Sequence, residues 1–150
     1  MPLREIKKYG CPVLRRKAAL VTAFDEELQT LVGDMFETMY ESAGIGLAAP
    51  QVGVLRRVIV LDAGAYDPAF RPVALINPEV VSTEGETEGD EGCLSFPNLT
   101  GDVKRPMKAR VRGLDVDGNP IELETSELGA RAVLHEIDHL DGILFVDRVS

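Results

Sequence analysis

An α+β fold built mostly from antiparallel sheet is predicted by three features of this 150-residue sequence. A run of apolar residues at helical spacing lies near the start, β-rich runs fill the middle, and a second helical pattern closes the chain and carries both of its histidines. Strands grouped between two helices, rather than alternating with them, select antiparallel pairing over βαβ crossovers. The sheets are expected to pack around the last helix, because it has small or apolar residues on both faces.

The first helix runs from Phe24 to about Ser42, where Leu28, Leu31, Val32, Met35 and Met39 fall on one stripe. Thr22 and Asp25 are expected to form a capping box and Gly44 to supply the stop. Four β-rich runs follow: RRVIVLD (Arg56 to Asp62), PVALINPEVV (Pro72 to Val81), ARVRGLDV (Ala109 to Val116) and PIELET (Pro120 to Thr125). Asp117-Gly118 between the last two signals a hairpin turn. TEGETEGDEG (Thr83 to Gly92) sets five carboxylates among glycines; its spacing does not fit an EF-hand, and it reads as a solvated strand end and loop. The final helix begins after Thr125, with Ser126 as its N-cap. At about 100° per residue, His139 lies roughly 40° from His135, with Ala132 and Leu128 on the same side, while Val133, Ile137 and Leu140 cluster opposite.

Composition narrows the classes of function. Residues 1–150 are expected to form a single catalytic domain, and a chain of this size hides about 70% of its unfolded surface without staples. Hydrophobic residues at 45% and charged residues at 27% exclude a disordered chain. No apolar run reaches the 18 or so residues of a membrane span, and MPLREIKKYG lacks the apolar region of a secretory signal. A cytoplasmic monomer is expected, or one in an organelle interior if a transit peptide has been removed. Sixteen basic against 25 acidic residues give −9, which repels a phosphate backbone and argues against direct nucleic-acid binding. Cys11 and Cys93 read as thiols.

HEIDHLDG (His135 to Gly142) is the first segment that carries chemistry. Histidines at i and i+4 aim two nitrogens at one point, and Glu136 beside them is a candidate base, so the pair reads as metal ligands. A catalytic metal usually takes three protein ligands, yet the eleven residues after His139 contain no histidine or glutamate. That gap counts against an ordinary zinc endopeptidase. The third ligand must lie upstream, as a thiolate or one of many carboxylates, and Cys93 in EGCLSFP is the favoured candidate. GIGLAAPQVG (Gly44 to Gly53) mimics a dinucleotide fingerprint through Gly44, Gly46 and Ala49, but it follows a helix and contains Pro50. It reads either as a glycine-rich turn packed on a helix or as a backbone wall beside a ligand, with Gln51 projecting an amide.

Taken together and in this order, GIGLAAPQ, EGCLS and HEIDH resemble the three motifs of the peptide deformylase family, and GCPVLRRKA near the start is similar as well. The resemblance covers nearly the whole chain. It implies a compact α+β fold and removal of the formyl group from N-formylmethionine on nascent chains. It implies a metal held by Cys93, His135 and His139, ferrous iron in most members, with zinc, nickel or cobalt able to substitute. It gives Glu136 the general acid–base role and makes the side-chain amide of Gln51 and the backbone N–H of Leu94 donors to the developing oxyanion. The backbone at Ile45 and Gly46 would pair with the extended peptide, and Ala132 would line the methionine pocket. Association with the ribosome is a further expectation. Leu134 stands where the family commonly has Gln, and many bacterial members continue past the position of Ser150 into another helix.

Overall fold

A computed structural model describes residues 3–148. Helix α1 spans Glu26–Glu41, and Asp25 alone caps it, its carboxylate accepting from the Leu28 N–H at 3.1 Å. Thr22 is not needed, because Asp25 already serves that amide. Glu26 and Glu27 in the first turn complement the helix dipole. At the other end Gly44 N–H bonds Met39 O at 2.9 Å and Ala43 N–H bonds Tyr40 O at 3.1 Å, a Schellman pair. The left-handed residue of this stop is Ala43, with φ of 56°, and not the expected Gly44. Gly44 is small for another reason: a Cβ there would stand 2.8 Å from Leu94 Cδ1.

The sheets contain β1 (Gly46–Ala48), β2 (Val58–Leu61), β3 (Val73–Glu84), β4 (Thr87–Cys93), β5 (Phe96–Arg105), β6 (Lys108–Leu114) and β7 (Pro120–Ser126). Five of these form one antiparallel sheet in the order β1-β2-β3-β6-β7, and β4-β5 form a separate two-stranded sheet. Strand β2 reads as an unbroken apolar run because both its faces are covered. Val58 and Val60 pack with Leu28, Met35 and Met39 of α1, whereas Ile59 and Leu61 pack with Val133, Ile137 and Leu140. The turn at Asp117-Gly118 is present, with Gly118 at φ 84° and the Asp115 carboxylate accepting from the Asp117 and Asn119 amides.

Two expectations are corrected by the strands. Thr83 to Gly92 is not a strand end followed by a loop: β3 continues to Glu84, Gly85 turns at φ 72°, and β4 then pairs with β5 from Thr87↔Arg105 to Gly92↔Thr100. Gly- and Asp-rich sequence has low strand propensity, but the cross-strand ladder overrides it. Ser126 ends β7 opposite Lys108 and does not cap the last helix. Helix α2 is Leu128–Leu140, and its N-cap is Glu127, at φ 56° and without a side-chain cap bond, because the chain must turn sharply from the sheet into the interior. From Gly129 to Leu140 every residue of α2 is buried. Among the described residues no helix is long and apolar enough to cross a membrane.

Asn77 ties the segment before α1 to β3. Its Oδ1 accepts from Val21 N–H at 2.9 Å, its Nδ2 donates to Val21 O at 3.0 Å, and it holds φ of 53° at a register shift in β3. Asn77→Ala is expected to cost about 2–3 kcal/mol, from two hydrogen bonds at roughly 1 kcal/mol each and the left-handed backbone. Asn77→Gly adopts that backbone freely and should recover about 1 kcal/mol of the loss. Urea denaturation of the three proteins checks both values.

Candidate active site

The site is assembled where α2 meets the β4-β5 hairpin and β1. One helical turn separates His135 from His139, and their ring centroids lie 5.0 Å apart. Cys93 ends β4, with Sγ 3.3 Å from His139 Nε2. One donor atom each from Cys93, His135 and His139 lies within 4.8 Å of the others. A thiolate with two imidazoles suits borderline divalent ions such as zinc, cobalt or ferrous iron, and three donors leave a position open. Both cysteines are free thiols.

Glu91 precedes Cys93 by two residues on β4 and was visible in the sequence only as one charge in an acidic run. Residues at i and i+2 share a strand face, so the carboxylate enters the same interior as the thiol. There its Oε2 lies 2.6 Å from His135 Nδ1, while Arg105 contributes Nε at 3.0 Å and Nη2 at 2.6 Å, and Arg131 Nη1 reaches Oε1 at 3.1 Å. Arg105 also reaches Asp138 at 2.8 Å, and Arg148 bonds the same carboxylate at 2.6 and 3.0 Å. Burial alone would raise the pKa of Glu91, but the bonds and charges of His135 and Arg105 overcome it and bring it down to about 2. An ionised Glu91 accepts only, so His135 Nδ1 is the donor and its Nε2 is left for an ion. Burial also opposes charge on His135, yet Glu136, Cys93 and Glu91 hold its pKa well above the ordinary value. His139 goes the other way, pushed well down by burial and then by His135.

Glu136 faces a different environment. Burial pushes its carboxyl up to about 7, outweighing the opposing pull of His135, and its Oε1 has no hydrogen-bond partner among the described residues. Gly46 makes room for it: a Cβ there would lie 2.7 Å from Glu136 Oε2 and 3.0 Å from Cγ. GIGLAAPQ is therefore the short strand β1 followed by a 3-10 turn over Ala49–Val52, with the glycines at close approaches. Gln51 Oε1 accepts from Ala48 N–H at 2.9 Å, which aims its Nε2 at Cys93 Sγ (3.4 Å) and Ser95 Oγ (3.3 Å).

Ile45, Gly46, Gln51, Cys93, Leu94, Ala132, His135 and Glu136 all line one cleft of about 740 Å³. His139, 1% exposed, is not part of its wall. Tyr66, Leu99, Leu128 and Arg131 also line the cleft. Of these, Leu128 shared the histidine side in the helical projection; Arg131, one of three charged residues on α2 with Glu136 and Asp138, carried no signal of its own, and Tyr66 and Leu99 lie in segments with no distinguishing pattern. Leu134 packs into the core behind α2.

Glu91→Ala would strand the buried guanidinium of Arg105 and release His135 Nδ1. The expected loss is about 3–5 kcal/mol, the range for breaking one side of a buried ion pair. Thermal or urea unfolding measures it, and a loss below about 1 kcal/mol would show that Arg105 finds full compensation elsewhere.

The family model for polypeptide deformylase matches residues 3–150. Peptide deformylase of Caldanaerobacter subterraneus subsp. tengcongensis is 53% identical over 149 residues, covering 99% of this chain and 91% of the relative. Peptide deformylase 1 of Clostridium acetobutylicum is 48% identical over 150 residues, covering 100% and 97%. The crystal structure of a peptide deformylase from Legionella pneumophila superposes with a TM-score of 0.94 at 45% identity, over 99% of this chain and 87% of that one. That from Thermotoga maritima gives 0.94 at 41%, over 100% and 99%. A family model that spans the described fold from end to end, relatives of this identity aligned over their near-full length, and superposed structures that agree throughout show that the chain belongs to the polypeptide deformylase family.

Proposed function

We propose that residues 1–150 act as one catalytic domain that releases formate from N-formylmethionyl nascent chains, with Cys93, His135 and His139 holding a divalent metal and Glu136 as general acid–base. The enzyme class and the formyl group of an N-terminal methionine as its target follow from family membership. The observation that supports the site assignment is the convergence of three metal donors beside the buried carboxyl of Glu136, whose Oε1 has no hydrogen-bond partner among the described residues. When bound, such an ion lowers the pKa of a water and polarises the formyl oxygen. Ferrous iron is the proposed ion, and zinc, nickel or cobalt fit the same donors.

Glu136 takes a proton from the attacking water and delivers it to the leaving amine of methionine, a role that suits a pKa near the working pH. Negative charge then gathers on the former formyl oxygen. Gln51 Nε2, held by the Ala48 N–H through the other end of its amide, is oriented to donate to that oxygen, and the Leu94 backbone N–H is the second donor. β1 lies at an edge of the five-stranded sheet, so the backbone at Ile45 and Gly46 can add an extended peptide as a further strand. Ala132 and Leu128 on α2 offer an apolar wall to the methionine side chain. A nascent-chain substrate fits a monomer working near the ribosome, in the cytoplasm or in an organelle interior.

Two measurements test this reading. In a formate-release assay, N-formyl-Met peptides should be preferred over N-acetyl-Met peptides by at least about 10² in kcat/KM, the outcome expected if Gly46 and Cys93-Leu94 close in on the scissile group so that it accepts hydrogen and resists methyl; comparable rates would favour a general amidase. Separately, Cys93→Ala should lose stoichiometric metal, whereas Glu136→Ala should keep it and lose at least about 10² in turnover. Full metal occupancy in the Cys93 variant would remove that residue from the ligand set.

A further inference from the structure

Resting on the metal reading above, we propose that Arg131 is a positioning residue for the metal centre: from α2 it grips the β4-β5 hairpin and so sets where Cys93 stands relative to His135 and His139. The need for such a device follows from topology. The two histidines share one helix, so backbone hydrogen bonds fix their spacing. Cys93 belongs to the two-stranded sheet, which shares no ladder with the five-stranded sheet among the described residues. Gln51 reaches Cys93 and Ser95 at the hairpin end from the turn after β1, and side chains that cross between α2 and the hairpin tie the third donor to the helix of the other two.

Arg131 lies one turn before His135 and makes that crossing through both terminal nitrogens. The two hydrogens of its Nη1 serve Glu91 Oε1 at 3.1 Å and Val103 O at 3.0 Å, with Gly89 O at 3.5 Å as a weaker shared contact, and its Nη2 donates to Thr87 O at 3.3 Å. Thr87, Gly89 and Glu91 alternate along β4, and Val103 stands opposite Gly89 on β5. One planar guanidinium thus spans both strands of the hairpin. Arg105 crosses in the opposite direction, from β5 to Asp138 near the end of α2, so it anchors the far end of the helix while Arg131 anchors the end beside His135. A lysine could keep the charge beside Glu91 but cannot spread a fork across two strands.

The test uses full-length Arg131→Met and Arg131→Lys, stripped of metal and titrated with cobalt. Affinity comes from competition with a chromophoric chelator, and the thiolate-to-cobalt charge-transfer absorption per bound ion reports ligation by Cys93. Arg131→Met is expected to bind cobalt about 10–100-fold more weakly, the usual effect of losing an outer-shell partner, with a reduced charge-transfer band. Arg131→Lys should recover part of both. If Arg131→Met does not fold, Arg131→Lys decides alone, with weaker binding and a smaller band expected relative to the unsubstituted protein. Unchanged affinity and band overturn the proposal, and so does weaker binding with an intact band per bound ion, because Cys93 would then be correctly placed without the fork. Failure of the unsubstituted protein to take up one cobalt per chain would instead overturn the metal reading itself.

Discussion

Everything at the site depends on keeping one carboxylate ionised in the interior. Glu91 is buried, and removing a charge from water costs several kcal/mol unless its lone pairs are met. Arg105, Arg131 and His135 meet them from three directions. Because Glu91 stays ionised it can only accept, so His135 keeps a proton on Nδ1 and its other nitrogen faces the thiol side. The same carboxylate joins a strand of the hairpin to the last helix, so the tautomer of a ligand and the docking of two elements are set by one group.

The other buried carboxyl shows what happens without such partners. Glu136 sits beside His135 on the same helix, yet its Oε1 meets no donor and burial lifts it to about 7, against about 2 for Glu91. Two glutamates in one interior are driven apart by their neighbours alone, and this separates the one that orients from the one that can exchange a proton. The absence of a side chain at Gly46 is part of that arrangement, since the Glu136 carboxyl occupies the space a methyl would fill.

Rigidity comes from packing on two sides. Helix α2 is enclosed by the five-stranded sheet and by the hairpin, and β2 sends alternate residues into the core of α1 and the core of α2. Side chains carried by buried helices and strands hold their geometry more closely than side chains on loops. The cleft is therefore formed by regular elements on most of its wall, with Tyr66 supplying the exposed margin.

The sequence by itself determined the elements whose signals are periodic or chemically rare. The stripe from Leu28 to Met39, the run RRVIVLD, the Asp117-Gly118 turn and the paired histidines of HEIDH each repeat at the spacing of the structure they form, so local physics suffices to read them. The three motifs also carried the family. What local physics could not supply was pairing at a distance: β4 and β5 have weak strand propensity and exist because each completes the other's ladder. The helix ends were misplaced for a related reason, since Ala43 and Glu127 accept left-handed backbone only where the tertiary path requires the turn. Only the folded structure decided that Glu91, Arg105, Arg131 and Asp138 are a buried network rather than surface charge. A charged residue has the same composition signal in both settings, and its partners lie up to 44 residues away in sequence, where no periodicity can indicate them.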